Sequence, residues 1–173
     1  MELWAQDEHR LGLKPVSRRV WALKGERPTL EVHHRYKWTY LYSFVRPATG
    51  EVHWLILPAV NTEVFSMALS HFAEQVGAGK DRRILLVLDQ AGWHTSPRVE
   101  VPGGIELEFL PSNSPELQPS ERLWPLANEG VANRYFEDIG SLEEALIERC
   151  VALCGQPGII RSYTHYHWWP EAA

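Results

Sequence analysis

The feature that most constrains the fold is a short apolar run, Ile84–Leu88, which ends in Asp89. A strand that is apolar on both faces is typical of the centre of a sheet covered by helices on both sides. The run therefore predicts a layered α/β domain. Functional sites in open α/β sheets gather outside the carboxyl ends of the strands, where Asp89 stands. An isolated acidic residue there can also be a simple boundary residue, although Gly92 permits a tight turn beside its carboxylate.

A second acidic residue lies within a predicted strand near the start of the chain. Residues 3–10 read as a strand in which Asp7 shares one face with Leu3 and Ala5. The adjacent Glu8 therefore points to the opposite face. Asp7 could bind a ligand from this position, or it could simply pair with a nearby arginine such as Arg18.

The rest of the chain predicts a single α/β domain over residues 1–173. We expect a mixed sheet with an antiparallel N-terminal hairpin and flanking helices. The tail at 159–169 is rich in aromatic residues and histidine and predicts no defined element. The other predicted strands are a short one at 19–23, hairpin strands at 36–45 and 52–57 joined by a turn at 47–50, and a second buried strand at 105–110. The predicted helices run from Asn61 or Thr62 to Gly77 and from a capping box at 141–144 to Gly155. A further helix starts near Ser120 and is kinked or delayed by Pro125.

Charge is unevenly distributed along the chain. The net charge is −5, but residues 1–50 carry nine Lys and Arg against five Asp and Glu, whereas residues 51–173 carry eight against seventeen. The first segment is thus +4 and the second −9. A basic flank that follows Asp7 is compatible with binding to DNA and equally with a solvated basic loop.

Composition favours a reducing, cytoplasmic location. The start of the chain has no basic segment followed by an apolar one, and no apolar run approaches the roughly 20 residues that span a bilayer. Cys150 and Cys154 predict a pair of buried apolar thiols on a helix rather than a disulfide. Together with His165 and His167 they match no common zinc module, so we predict no zinc site.

Three carboxylates then form a pattern that none of them forms alone. Asp7 lies on a strand, Asp89 at a strand end and Glu121 near a helix start, where an acid also complements the helix dipole. Carboxylates that converge from such positions can bind hard divalent cations. Such cations support phosphodiester chemistry.

Several linked segments resemble one enzyme family in the same order and with similar gaps. They are Ala5-Gln6-Asp7-Glu8, Val20-Trp21-Ala22-Leu23-Lys24-Gly25, Pro47-Ala48-Thr49-Gly50, Leu86-Val87-Leu88-Asp89-Gln90-Ala91-Gly92-Trp93-His94 and Ser114-Pro115-Glu116-Leu117-Gln118-Pro119-Ser120-Glu121-Arg122-Leu123-Trp124. Together they resemble the catalytic domain of DDE transposases of the insertion-sequence-630 family, within the mariner superfamily. Residues 118–121 depart from the usual Asn-Pro-Ile/Val-Glu of that family, and Pro125 follows in the next turn.

The resemblance implies a ribonuclease-H-like fold with Asp7, Asp89 and Glu121 as catalytic metal ligands, and not Glu8 or Glu116. It also implies two Mg²⁺ ions once DNA is bound, with Mn²⁺ as a substitute. The implied reaction is cleavage of DNA at the ends of a mobile element, followed by strand transfer into a target. The alternatives are a folded but inactive remnant, an interaction module, or a related nuclease without strand transfer.

The resemblance further implies DNA as a partner and, by analogy, a homodimer. The predicted catalytic strand starts at the third residue, so we expect the family's helix-turn-helix module to be absent and supplied separately. His94 could contact DNA phosphate or a metal-bound water, or be a hydrogen-bonded structural histidine. Trp93 and Trp124 could stack on bases or fill the core. The other residues with possible roles in DNA binding or around the ligands are Lys14, Arg18, Arg19 and Arg122.

Overall fold

The computed structural model describes residues 1–29 and 36–170 and contains one five-stranded mixed sheet. The first strand, β1, lies at its centre and pairs antiparallel with β2 and parallel with β4. The strand order is β3-β2-β1-β4-β5. The bounds are β1 Glu2–Gly12, β2 Trp38–Arg46, β3 Glu51–Leu57, β4 Ile84–Leu88 and β5 Ile105–Phe109.

Helices cover both faces of this sheet, which confirms the predicted α/β class. Helix α1 packs on one face, and α2, α3 and α4 pack on the other. Among the described residues, no helix is both long and apolar enough to cross a membrane. The bounds are α1 Thr62–Val76, α2 Trp124–Asn128, α3 Ile139–Cys154 and α4 Pro157–Thr164, with 3-10 turns at Pro115–Leu117 and Pro119–Leu123.

The alternation along β1 sorts its side chains between two cores, as predicted. Trp4 enters the core beneath α1, with its ring edge against Phe72. Ala5 enters the opposite core, and on that same face His9 stacks on Trp124 at 5.0 Å between ring centroids. A strand of period two thus separates Asp7 and Glu8 onto opposite faces.

The predicted hairpin and the first helix are present. Strands β2 and β3 pair antiparallel around the turn at 47–50. Asn61 caps α1 by accepting a hydrogen bond from the Val64 N–H, and Gly77 ends it in a left-handed conformation with a φ of 68°. Pro125 delays the α-helix as expected, because the chain is 3-10 up to Leu123 and α2 begins only at Trp124.

Gly50, at the end of the hairpin turn, lies tightly against the start of α4. Its φ is +77°, and a Cβ built on it would lie 1.9 Å from the carbonyl oxygen of Pro157 at the start of α4. The Gly50→Ala substitution should therefore lower the free energy of unfolding by about 3 kcal/mol, from left-handed strain plus the collision. Urea denaturation measures this loss. Gly158→Ala, where a Cβ meets nothing within 4 Å, is the control, and equal stability of both variants would contradict the account.

Two strand predictions need correction. Residues 19–23 form no strand, because the described chain offers them no pairing partner and Trp21 is fully exposed. The strand at 105–110 is present as β5 but is not buried on both faces. Among the described strands it pairs only with β4, at the edge of the sheet, and Phe109 remains 36% exposed.

Two details of the C-terminal half also differ from expectation. Helix α3 begins a turn before the predicted capping box, because Asp138 is the N-cap and accepts from the Ser141 N–H. Its predicted apolar face is buried, but of the two cysteines only Cys150 is buried while Cys154 is exposed. The aromatic tail, for which no element was predicted, begins with helix α4.

Candidate metal centre

Strand pairing brings two of the predicted ligands together. In the parallel pair of β1 and β4, Ala5 lies opposite Val87. Asp7 and Asp89 each follow two residues later, so the two carboxylates lie at the same level of neighbouring strands, Asp7 within β1 and Asp89 just after β4. They share the side of the sheet on which Ala5 and Val87 are buried.

Glu121 reaches the same place from the 3-10 turn that precedes α2. Together with Asp7 and Asp89 it lines a cavity of about 420 Å³ that is closed on the other side by the loop at 110–115. The Glu121 carboxyl lies close enough to that of Asp7 for the two acids to affect each other's pKa. The structure therefore brings all three predicted acids to one cavity.

Gln118 anchors the turn that carries Glu121 and was not singled out by the sequence as a site residue. It is 2% exposed, and its Nε2 donates to the backbone oxygen of Gln6 at 2.9 Å. Because Gln6 directly precedes Asp7, this bond connects the turn of one ligand to the strand of another. The polar type of residue 118 carried no signal of this, since the contact spans 112 positions of sequence.

The electrostatics of the cavity reflect an excess of negative charge. Burial, reinforced by the charges of Glu8 and Glu121, raises the pKa of Asp7 to about 8. Burial and then the charge of Asp89 also raise the pKa of Glu121, and its side-chain interaction with Asp7 lowers it in part. Desolvation and like charges both disfavour ionisation here.

The donor set suits a hard divalent cation. Three carboxylates supply the oxygen ligands that Mg²⁺ and Mn²⁺ prefer, and a cation between them would offset the burial and the repulsion that raise the pKa of Asp7. Within residues 1–29 and 36–170, however, no three His, Cys, Asp or Glu side chains are already close enough together to coordinate a metal ion. The carboxylates thus line an open cavity, which suits a cation that also takes ligands from its substrate.

His94 lies behind the cavity and contacts two acids at once. Its Nδ1 is 2.7 Å from Asp89 Oδ1, and its Nε2 is 3.0 Å from Glu8 Oε1. Burial opposes a charge on the ring, but the hydrogen bonds to Asp89 and then Glu8 outweigh it and raise the pKa of His94 to about 9. The bond to His94 is also the main reason that the pKa of Asp89 is lowered. With 2% of the residue exposed, His94 has no surface to offer to a DNA phosphate.

The structure divides the predicted basic residues into two groups. Arg18 is engaged within the fold, where it forms an ion pair with Glu129 at 3.5 Å. Arg122 donates to the Tyr166 hydroxyl at 3.1 Å. Lys14 and Arg19 are exposed.

The two tryptophans beside the ligands are not free platforms for bases. Trp124 is 6% exposed and belongs to the core. Trp93 is partly buried, and its indole N–H lies 3.3 Å from Glu8 Oε2. Alternation along β1 predicted that Glu8 faces away from Asp7, but no local pattern indicated that Trp93 and His94 would meet it.

Known proteins resemble the chain in both sequence and fold. The DDE superfamily endonuclease family matches residues 2–143. The uncharacterized protein y4pE/y4sA of Sinorhizobium fredii is 35% identical over 136 residues, which cover 76% of this chain and 96% of that protein.

Solved structures of Mos1 mariner complexes share the fold. The paired-end complex with Mn superposes with a TM-score of 0.72 at 18% identity and covers 95% of this chain and 52% of that one. The Mos1 strand transfer complex gives a TM-score of 0.57 at 17% identity, covering 96% and 56%. This chain thus spans about half the length of those proteins. The extent of the family match, together with the three acids at one cavity, places the chain in the DDE superfamily endonuclease family.

Proposed function

We propose that this chain is the catalytic domain of a transposase, which cleaves DNA strands and then joins a freed end to target DNA. The observation that carries the proposal is the convergence of Asp7, Asp89 and Glu121 on one cavity, from the middle of β1, the end of β4 and a neighbouring turn. The Mos1 structures support it, since that protein was captured in paired-end and strand transfer complexes.

Each residue of the cavity would have a distinct role in binding the cations. Two Mg²⁺ or Mn²⁺ ions would activate the attacking oxygen and stabilise the leaving oxygen of an in-line displacement. Asp89, whose pKa is lowered by His94, offers an ionised ligand. Asp7, the most deeply buried of the three, would bind the cation from the floor of the cavity, and Glu121 would bind it from the turn. Gln118 fixes that turn against β1.

The partners of this domain are part of the same proposal. The substrate is DNA, with Lys14 and Arg19 as exposed cations on the segment that follows β1. A separate DNA-binding part would recognise the element ends, and two copies of the chain would bring two ends together. We propose the insertion-sequence-630 group as its subfamily, on the strength of the motifs around the three acids.

A cleavage assay tests this function. The chain, incubated with a labelled DNA duplex and Mn²⁺ or Mg²⁺, should yield strands that end in a 3′-hydroxyl and a 5′-phosphate, since water attacks phosphorus and the 3′ oxygen leaves. Excess EDTA should abolish the product, and added Mn²⁺ should restore it. A pure preparation that binds Mn²⁺ and DNA but cleaves nothing would instead identify an inactive remnant.

A further inference from the structure

Glu8 is a buried acid that the proposed chemistry leaves without a role. It follows Asp7 on β1 but points to the opposite face of the sheet, where its side chain is 4% exposed. A buried carboxylate is costly unless it is paired and hydrogen-bonded. Glu8 meets that condition through three donors, which are the Gln6 amide at 2.9 Å, the Trp93 indole N–H at 3.3 Å and the His94 ring at 3.0 Å.

The last of these contacts leads back to the cavity. The opposite nitrogen of the His94 ring is 2.7 Å from Asp89 Oδ1, and the other bond of that oxygen is to the Ala91 N–H at 3.0 Å. The ring also rests on Phe65 of α1, with 4.4 Å between ring centroids. His94 is therefore held on both of its nitrogens and on one face.

We propose that Glu8 and His94 are positioning residues for Asp89, and that Glu8 acts on the cavity through the histidine ring. Strand β1 then contributes two residues to the metal centre. Asp7 faces the cavity directly, and Glu8, one residue later on the other face, orients a second ligand from behind. The inference rests on the proposed metal-dependent function, because it assigns Asp89 as a ligand.

The physical basis is orientation of a side chain that is otherwise free to rotate. Asp89 is about half exposed, and its carboxylate can turn about two bonds. The His94 ring fixes one oxygen towards the protein and leaves the other for a cation. Glu8 in turn fixes the ring. Partners that orient metal ligands from behind typically contribute 10-fold to 100-fold in metal affinity.

The test measures Mn²⁺ affinity in the presence of a DNA duplex, by electron paramagnetic resonance of free Mn²⁺. The Glu8→Gln variant keeps the size of the side chain but loses the charge that holds the ring, and its affinity should fall about 10-fold. Glu2→Gln is the matched control, since Glu2 lies on the same strand and its carboxylate pairs with Arg82 away from the cavity. Its affinity should stay at the wild-type value.

A second variant separates positioning from general loss of structure. His94→Gln breaks the bridge by itself, so adding Glu8→Gln to it should weaken Mn²⁺ binding no further. Thermal unfolding of each variant checks that it is folded. If Glu8→Gln changes unfolding but not Mn²⁺ affinity, or if the two effects multiply, Glu8 does not position Asp89.

The same variants also distinguish the positioning role of Glu8 and His94 from the proposed metal-dependent function. Loss of Mn²⁺ binding in Asp89→Asn together with unchanged binding in Glu8→Gln and His94→Gln would overturn the positioning role alone. Unchanged binding in Asp89→Asn, or none in the wild type with DNA present, would overturn the proposed metal centre and this inference with it.

Discussion

The Asp89→Asn variant should lose Mn²⁺-dependent DNA cleavage by at least about 1,000-fold while remaining folded. Cations at a phosphoryl centre supply several kcal/mol of transition-state stabilisation, and each 1.36 kcal/mol is tenfold in rate. The amide would keep the shape of the Asp89 side chain but lose the charge that a cation requires. The rate of cleavage of a labelled duplex, measured under single-turnover conditions, checks this expectation.

Glu116→Gln is the matched control for that measurement. Glu116 lies on the 3-10 turn just before the one that carries Glu121, and it is exposed outside the group of three acids. Its cleavage rate should stay within about twofold of the wild type, since surface charges contribute little. Equal losses in both variants would mean that net charge near the cavity, and not coordination by Asp89, determines the rate.

Asp7→Asn should stabilise the metal-free protein, and the gain should grow with pH. The pKa of Asp7 is raised from 3.8 to about 8 in the fold, so the native state holds a proton that the unfolded chain releases. Stability from this group is fully present below pH 3.8 and is lost as pH rises through about 8. At pH 8.5 the variant should unfold with a free energy larger by up to about 5 kcal/mol, against little difference at pH 4.

Urea denaturation across this pH range in EDTA measures the difference. Adding Mn²⁺ and DNA at pH 8.5 should reverse the order, because a ligand that binds only the native wild type stabilises it by mass action. Glu116→Gln should follow the wild type at each pH. A constant difference between Asp7→Asn and wild type from pH 4 to 8.5 would show that Asp7 does not carry the buried proton.

Much of the fold could be predicted because its strongest signals are local. The apolar run Ile84–Leu88 and the alternation around Asp7 identified the two strands that hold the acids, and both are confirmed. Local signals failed where a competing partner intervened. Ser141 resembled a helix cap, yet Asp138, three positions earlier, supplies the side-chain oxygen.

The candidate site was predictable only in part, for a related reason. The three acids could be named because Asp7 lies on a predicted strand, Asp89 at a strand end and Glu121 near a helix start, each within a motif. The link from Glu8 to His94 spans 86 positions and depends on how β1 and β4 pair in space. The bond from Gln118, on the turn of Glu121, to the Gln6 backbone likewise joins residues 112 positions apart. Such contacts arise from topology, and neither residue type nor spacing encodes them locally.

The two-residue period of β1 makes this centre sensitive to a kind of change other than substitution. Deleting Gln6, with the pairing to β4 kept at Ala5 and Val87, would exchange the faces of Asp7 and Glu8. A carboxylate would still enter the cavity, but the one beneath α1 would no longer meet the His94 ring in register. A substitution in β1 changes one side chain at a time. A deletion within β1 would move both Asp7 and Glu8 away from their partners in a single event.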